Sequence, residues 1–163
     1  MSKDHRYRLT TVWTGDRGQG TAGYRAYGRD FRVEAPGKVT IAGSSDAAFL
    51  GDAARWNPEE MLLAAASACH MLWYLHLCAS AGVAVHGYVD AAVGLMLEED
   101  DGGGRFIRLT LRPRVTLAAS ADQEQAEALH QAAHRKCFVA NTLTCPIAVK
   151  ATFATTAPLS TAP

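Results

Sequence analysis

Residues 56–77, WNPEEMLLAAASACHMLWYLHL, constrain the fold more than any other stretch of the chain. They read as one long helix. Asn57 is a good N-cap, Pro58 sits at the first helical position, where its missing N–H costs nothing, and Glu60 stands at the capping-box position. The helix is expected to run to about Ser80 and to stop at Gly82. It is apolar nearly all round, so it must be buried on most sides. In a chain of 163 residues this favours burial against a second subunit. A membrane span is not expected: Ser67, Cys69, His70, His76 and Cys78 interrupt the apolar run, and its start is that of a soluble helix.

The rest of the chain reads as strands and one further helix. Residues 6–14, RYRLTTVWT, are rich in β-formers and predict a strand. GDRGQG is a turn, residues 23–34 alternate well enough for a second strand, and 38–43 form a short third. After the long helix, residues 83–97 and 105–117 predict two strands joined by an EEDDGGG hairpin, with Pro113 marking an edge or bulge in the second. Ser120 is expected to cap a helix ending near Cys137, and residues 144–153 form a last strand. The order predicts an α+β fold with antiparallel sheet packed on helices. Length points to one domain over residues 1–155, with a disordered low-complexity tail at 156–163.

Several function classes fall away. Net charge is zero and the pI is near 7, so there is no electrostatic footprint for nucleic acid or an anionic membrane. The charged start MSKDHRYRLT has no apolar signal region, which leads to the expectation of a cytoplasmic protein. GQGTAG at 18–23 matches G-x-G-x-x-G, but a dinucleotide site needs a helix straight after the glycines, and Tyr24-Arg25-Ala26-Tyr27 is expected to continue as strand. It is better read as a turn from which Arg17 projects.

The four cysteines are Cys69, Cys78, Cys137 and Cys145. Their spacings match no zinc signature. On the helix, Cys78 points away from Cys69, His76 lies two turns off and His70 about 100° round. They cannot converge on one metal. Cys78 reads as a small buried hydrophobe. Cys69 reads the same way on composition alone; as a thiolate it would need a nearby cation. Arg17 or Arg29 could supply one, held by a carboxylate such as Glu59. Glu59 precedes Cys69 by ten residues, about 15 Å along a straight helix. The two could share a site only if the central helices of two subunits cross antiparallel. Cys137, at a helix end, could swing to Cys69 if the Cα atoms come within about 7 Å.

WNPEEMLLAAASACH followed by AHRKCFVANTLTCPIAV resembles the OsmC/Ohr family of osmotically inducible and organic hydroperoxide resistance proteins, and WTGDRGQGTAGYRAYGRDF, GDAARWNPEE and CFVAN resemble its OsmC-like members. The resemblance runs from about residue 8 to 153. It implies an intertwined homodimer, with antiparallel sheets around two long central helices and active sites at the subunit interface. It also implies a cysteine-based peroxidase without cofactor or metal. Cys69 matches the peroxidatic position, Cys137 the resolving one, and Glu59 the family glutamate. Arg17 matches the family arginine, with Arg29 in reserve. The implied partners are an organic hydroperoxide or hydrogen peroxide and an external dithiol of the lipoyl type.

Two positions depart from the hydroperoxide-resistance type. His70 stands where an aromatic residue follows the first cysteine. Phe138 follows the second, with Pro146 coming later beside Cys145. These departures leave open the bulk of the peroxide, the reductant, and a competing role for Cys145 as partner thiol. His70 is expected as an interface histidine and His134 as a solvated one. Rival readings are a redox sensor or small-ligand binder of the same fold, and a zinc protein.

Overall fold

A computed structural model describes residues 3–156, in two compact units, Met1–Met61 and Leu62–Pro163. The first unit holds an antiparallel sheet of β1 (Thr10–Trp13), β2 (Phe31–Glu34) and β3 (Ile41–Gly43). A 3₁₀ turn at Ala47–Phe49 follows, and the unit ends in the first turn of the long helix. The expected second strand starts eight residues late, because residues 23–27 are turns and bends whose Tyr24 and Tyr27 carbonyls accept from Arg29.

The long helix, α1, spans Pro58–Ser80. Its start is set by a reciprocal box: the Glu60 N–H donates to Asn57 Oδ1 at 2.7 Å, and the Asn57 N–H donates to Glu60 Oε2 at 3.2 Å. Two of the helix's orphan donors are thereby satisfied. At the other end Gly82 takes φ of +73°, its N–H reaches the Ala79 carbonyl, and the Val83 N–H reaches that of Cys78 at 2.9 Å. This is a Schellman stop, which needs a residue at ease in left-handed backbone.

The second unit carries the core. Strands β4 (Val85–Asp90), β7 (Pro113–Leu117) and β9 (Thr152–Thr155) form one sheet; β5 (Val93–Glu98), β6 (Gly104–Leu111) and β8 (Ile147–Val149) form another in the same order. Each of the three long strands predicted in this half breaks in two at one level: at 91–92, at 112 and at 150–151. Asp90 holds the crease. It accepts the Arg112 N–H at 2.6 Å and the Ser67 hydroxyl of α1 at 2.5 Å. The expectation of purely antiparallel sheet is corrected here: β9 pairs parallel to β7, and β8 parallel to β6. A chain that returns through a helix can add its last strand that way.

Helix α2 (Gln123–Lys136) is capped by Asp122, not Ser120. An unpredicted short helix, α3 (Phe138–Thr142), follows Cys137 directly. The core joins Tyr74 and Cys78 of α1, Val115 and Leu117 of β7, and Ala126 and Ala133 of α2. The expected tail at 156–163 lies outside the described residues except Thr156, whose N–H donates to the Leu117 carbonyl at 2.8 Å.

Within the chain α1 buries only one stripe, Ala66, His70, Tyr74 and Cys78, spaced four residues apart. Leu72 stays 63% exposed. One such chain supplies one long apolar helix and leaves much of it uncovered. Removing the cap by Asn57→Ala should lower stability by about 1 kcal/mol. Urea unfolding should show this as a lower midpoint at unchanged slope, and Asn57→Asp should restore most of it.

Candidate active site

The stripe that α1 buries decides where its thiol points. Cys69 precedes buried His70 and sits half-buried at the edge of the stripe. Cys137 meets it there. Cys137 is fully buried at the joint between α2 and α3: it ends α2 and caps α3, its sulfur accepting the Ala140 N–H at 3.4 Å. Burial first, and a hydrogen bond with Cys69 second, push the Cys137 thiol up to about 11, against the lowering pull of the α3 N–H groups. At neutral pH it is therefore a protonated thiol beside Cys69. Both are free, as are Cys78 and Cys145. The thiol contact of Cys137 is with Cys69; half-buried Cys145 lies ahead of β8.

Apolar side chains stand next to this pair. Leu72, Trp73 and His76, three, four and seven residues after Cys69, continue its face of α1 and line an open hollow of about 280 Å³. Phe138, beside Cys137, packs edge-on to Trp73 with ring centres 5.6 Å apart, and Lys136 Nζ lies 5.5 Å over the Trp73 ring.

Behind the thiols lies a cluster of buried polar groups. His70 Nε2 and His130 Nδ1 are 3.0 Å apart, one donating and the other accepting. The two rings are parallel, and His130 stacks on Tyr74 with centres 3.8 Å apart. Burial pushes both imidazoles down to about 4; the charge of His134 adds to this for His70, against a smaller opposing effect of Asp90. His70 is thus a core residue paired inside its own chain, and not an interface histidine. His134 is half-buried, not solvated, with its Nδ1 enclosed. His130 was not anticipated, although His130 and His134 stand four apart on the apolar face of α2 with Ala126 and Ala133, a placement that signals buried imidazole.

The first unit positions the charged candidates. Residues 16–27 form an excursion between β1 and β2, closed at its neck by the Gly28 N–H donating to the Gly15 carbonyl at 2.7 Å. Any side chain at Gly15 would collide with the Gly28 carbonyl. Arg17 stands exposed in this excursion, whose turn Asp16 ties by accepting the N–H groups of Gly18 and Gly20. Those bonds hold the Asp16 carboxyl below its usual range. Arg29 is already engaged. Its guanidinium donates to the Tyr27 and Tyr24 carbonyls at 2.7 Å each and lies over both rings. Glu59 is half-buried in the first turn of α1. Among the described residues of this unit, Arg17 and Glu59 do not pair: the ion pairs are Arg32–Glu34, and Arg55 with Asp52 and Asp30. So the chain itself brings together Cys69 and Cys137 and leaves Arg17 and Glu59 apart from each other. No cluster of three or more metal-ligating side chains occurs among the described residues.

Residues 51–152 match the sequence model of the family described as OsmC-like protein. A comparison with curated protein sequences gives no match. Among solved structures, the fold resembles an OsmC-like protein of unknown function from Vibrio cholerae, with a TM-score of 0.82 and 26% identity over 91% of this chain and 100% of that one. It also resembles an organic hydroperoxide resistance protein from Elizabethkingia anophelis, with a TM-score of 0.65 and 20% identity over 94% of this chain and 100% of that one. The organic hydroperoxide resistance protein OhrB of Bacillus subtilis gives a TM-score of 0.57 and 18% identity over 91% of this chain and 98% of that one.

The buried imidazoles give the fold an acid limit. Both have folded values near 4, below their ordinary 6.5. Between those values the unfolded chain binds more protons, so stability is full above pH 6.5 and falls as pH drops towards 4. Thermal melts should show the midpoint falling by about 5 °C or more from pH 7 to pH 4.5. The double variant His70→Gln/His130→Asn should lose less over the same range.

Proposed function

The chain belongs to the family of OsmC-like proteins, and on that footing we propose that it is a thiol-dependent peroxidase acting on organic hydroperoxides. The observation that carries this reading is the contact of buried Cys137 with half-buried Cys69. Two reduced thiols on separate elements, held against each other next to an apolar hollow, suit a reaction that ends in their disulfide.

In the first step the Cys69 thiolate attacks the distal peroxide oxygen. The S–O bond forms, the O–O bond breaks, and the alkoxide leaves to take up a proton as alcohol. Cys69 becomes a sulfenic acid. Cys137 then attacks the Cys69 sulfur, expelling hydroxide that leaves as water. An external dithiol reduces the disulfide and restores both thiols. Arg17 stabilises the charge that develops on sulfur and oxygen, and Glu59 orients its guanidinium by a bidentate pair. Arg17 is preferred over Arg29 because the Arg29 guanidinium is already held by the Tyr24 and Tyr27 carbonyls and lies over both rings. The shelf of Leu72, Trp73 and Phe138 favours an apolar alkyl group on the substrate.

Glu59 and Cys69 of one α1 are too far apart for this chemistry, so the proposal includes a homodimer. Two α1 helices crossing antiparallel would bring Glu59 of one chain to Cys69 of the other. They would also cover the apolar faces that a single chain leaves open, on α1 and on β5 at Val93, Leu95 and Leu97. Sedimentation should then give twice the 17.4 kDa chain mass.

The test is peroxide consumption with a dithiol reductant. Wild type should turn over cumene hydroperoxide faster than hydrogen peroxide. Cys69→Ser should fall to background, Cys137→Ser should stop after one equivalent with a trappable sulfenic acid, and Arg17→Ala should slow turnover by about a hundredfold. A disulfide that closes without turnover would favour the redox-sensor reading instead.

A further inference from the structure

Arg17 lies in GDRGQG, residues 15–20, where three residues in six are glycine. Such a segment visits both signs of φ and would let an arginine within it sweep widely. The structure shows one defined backbone instead. Gly18 stands at φ of +91° and Gly20 at +55°, left-handed values that favour glycine. Packing does not select them, since a Cβ at either position would meet nothing within 4 Å. Asp16 does. Its Oδ1 accepts the Gly18 N–H at 2.8 Å and the Gly20 N–H at 2.9 Å. Arg17 lies inside the rings that these two bonds close.

A carboxylate suits this task. Its bonds to N–H groups are about twice as strong as neutral ones, and the two keep the Asp16 carboxyl below its usual range, so it is charged at neutral pH. It makes no ion pair with the Arg17 guanidinium; the ion pairs among the described residues lie elsewhere. Arg17 and Arg29 are thus treated in opposite ways. At Arg29 the guanidinium itself is held. At Arg17 the backbone is held and the side chain stays exposed. The turn is also anchored to the sheet. The Thr14 N–H donates to the Asp30 carbonyl at 2.8 Å, just past the β1–β2 ladder, and the Gly28 N–H donates to the Gly15 carbonyl at 2.7 Å. Trp13 Nε1 donates to the Gly28 carbonyl at 2.8 Å, and the Trp13 ring packs edge-on against Tyr27. Asp16 alone separates this fixed neck from Arg17.

We propose that Asp16 is a positioning residue: it presets the backbone of Arg17, so that the guanidinium is offered from a fixed turn and not from a mobile glycine loop. The ordering then happens once, in folding, and not at each encounter with substrate, which is how a preorganised group gains rate. That Arg17 serves a peroxide rests on the peroxidase reading; the preset turn can be tested without peroxide.

The full-length protein is compared with Asp16→Ala, Asp16→Asn, Arg17→Ala and the double variant Asp16→Ala/Arg17→Ala. Amide hydrogen exchange at Gly18 and Gly20, followed by NMR, reads the turn. It should quicken by about fivefold or more in Asp16→Ala, and by less in Asp16→Asn, which keeps an acceptor oxygen without the charge. The kcat/KM for cumene hydroperoxide reads the use made of the turn. It should fall about tenfold in Asp16→Ala and about threefold in Asp16→Asn. The double variant should stay within about twofold of Arg17→Ala, because a device that acts only through Arg17 then has nothing to position. A purely structural loss would instead add in full to that of Arg17→Ala. Should Asp16→Ala fail to fold, Asp16→Asn carries the same tests. Unchanged exchange, wild-type turnover in Asp16→Ala, or a fully additive double variant each overturn the proposal. An active enzyme indifferent to Arg17→Ala also overturns it while keeping the peroxidase. A wild type inert to peroxides, with Gly18 and Gly20 still loosened by Asp16→Ala, would uphold the preset turn and sink the peroxidase.

Discussion

The rotational setting of α1 governs the rest of the structure. A helix apolar on nearly every side could turn almost any face inward. This one is fixed by a single stripe, Ala66, His70, Tyr74 and Cys78. The decisive member is His70, whose 3.0 Å bond to His130 ties α1 to α2 in a direction-dependent way that alanines and leucines cannot supply. Tyr74 completes the clasp by stacking on His130. With that stripe inward, Cys69 falls at its border, where a side chain is half sheltered and can be met by another element.

What meets it is a helix end. Cys137 closes α2 and opens α3 in extended backbone, so its sulfur is placed by two helices at once. The bonds from α3 favour ionisation, and burial outweighs them. The outcome is a pair of unequal thiols: one half-buried at a border, the other enclosed and protonated. That asymmetry suits a division of labour in which the first sulfur meets the substrate and the second waits for the first.

The two ends of α1, the EEDDGGG hairpin and the alternation of strands with helices were legible because their causes are local: a cap, a proline, a run of glycines. The α+β class followed from them. The creased sheet was not legible. Its breaks depend on Asp90 bonding Arg112 and Ser67, contacts that span more than twenty residues and leave no local pattern. The shortened β2 has a similar cause, since Tyr24 and Tyr27 wrap Arg29 instead of continuing a ladder. Both cysteines were legible from their resemblance to a family, and spacing alone would have left Cys69 as inert core. The histidine pair joins residues sixty apart, and only their burial on apolar helix faces hinted at it.

The central claim is that Cys69 and Cys137 are partners in one oxidation. The most direct measurement is the mass of the intact protein after one equivalent of cumene hydroperoxide per chain, followed by a non-reducing peptide map. The account predicts a loss of two hydrogens and a single cross-link between the peptides carrying Cys69 and Cys137. An unchanged mass, a stable gain of oxygen on Cys69, or a cross-link from Cys69 to Cys145 would contradict it.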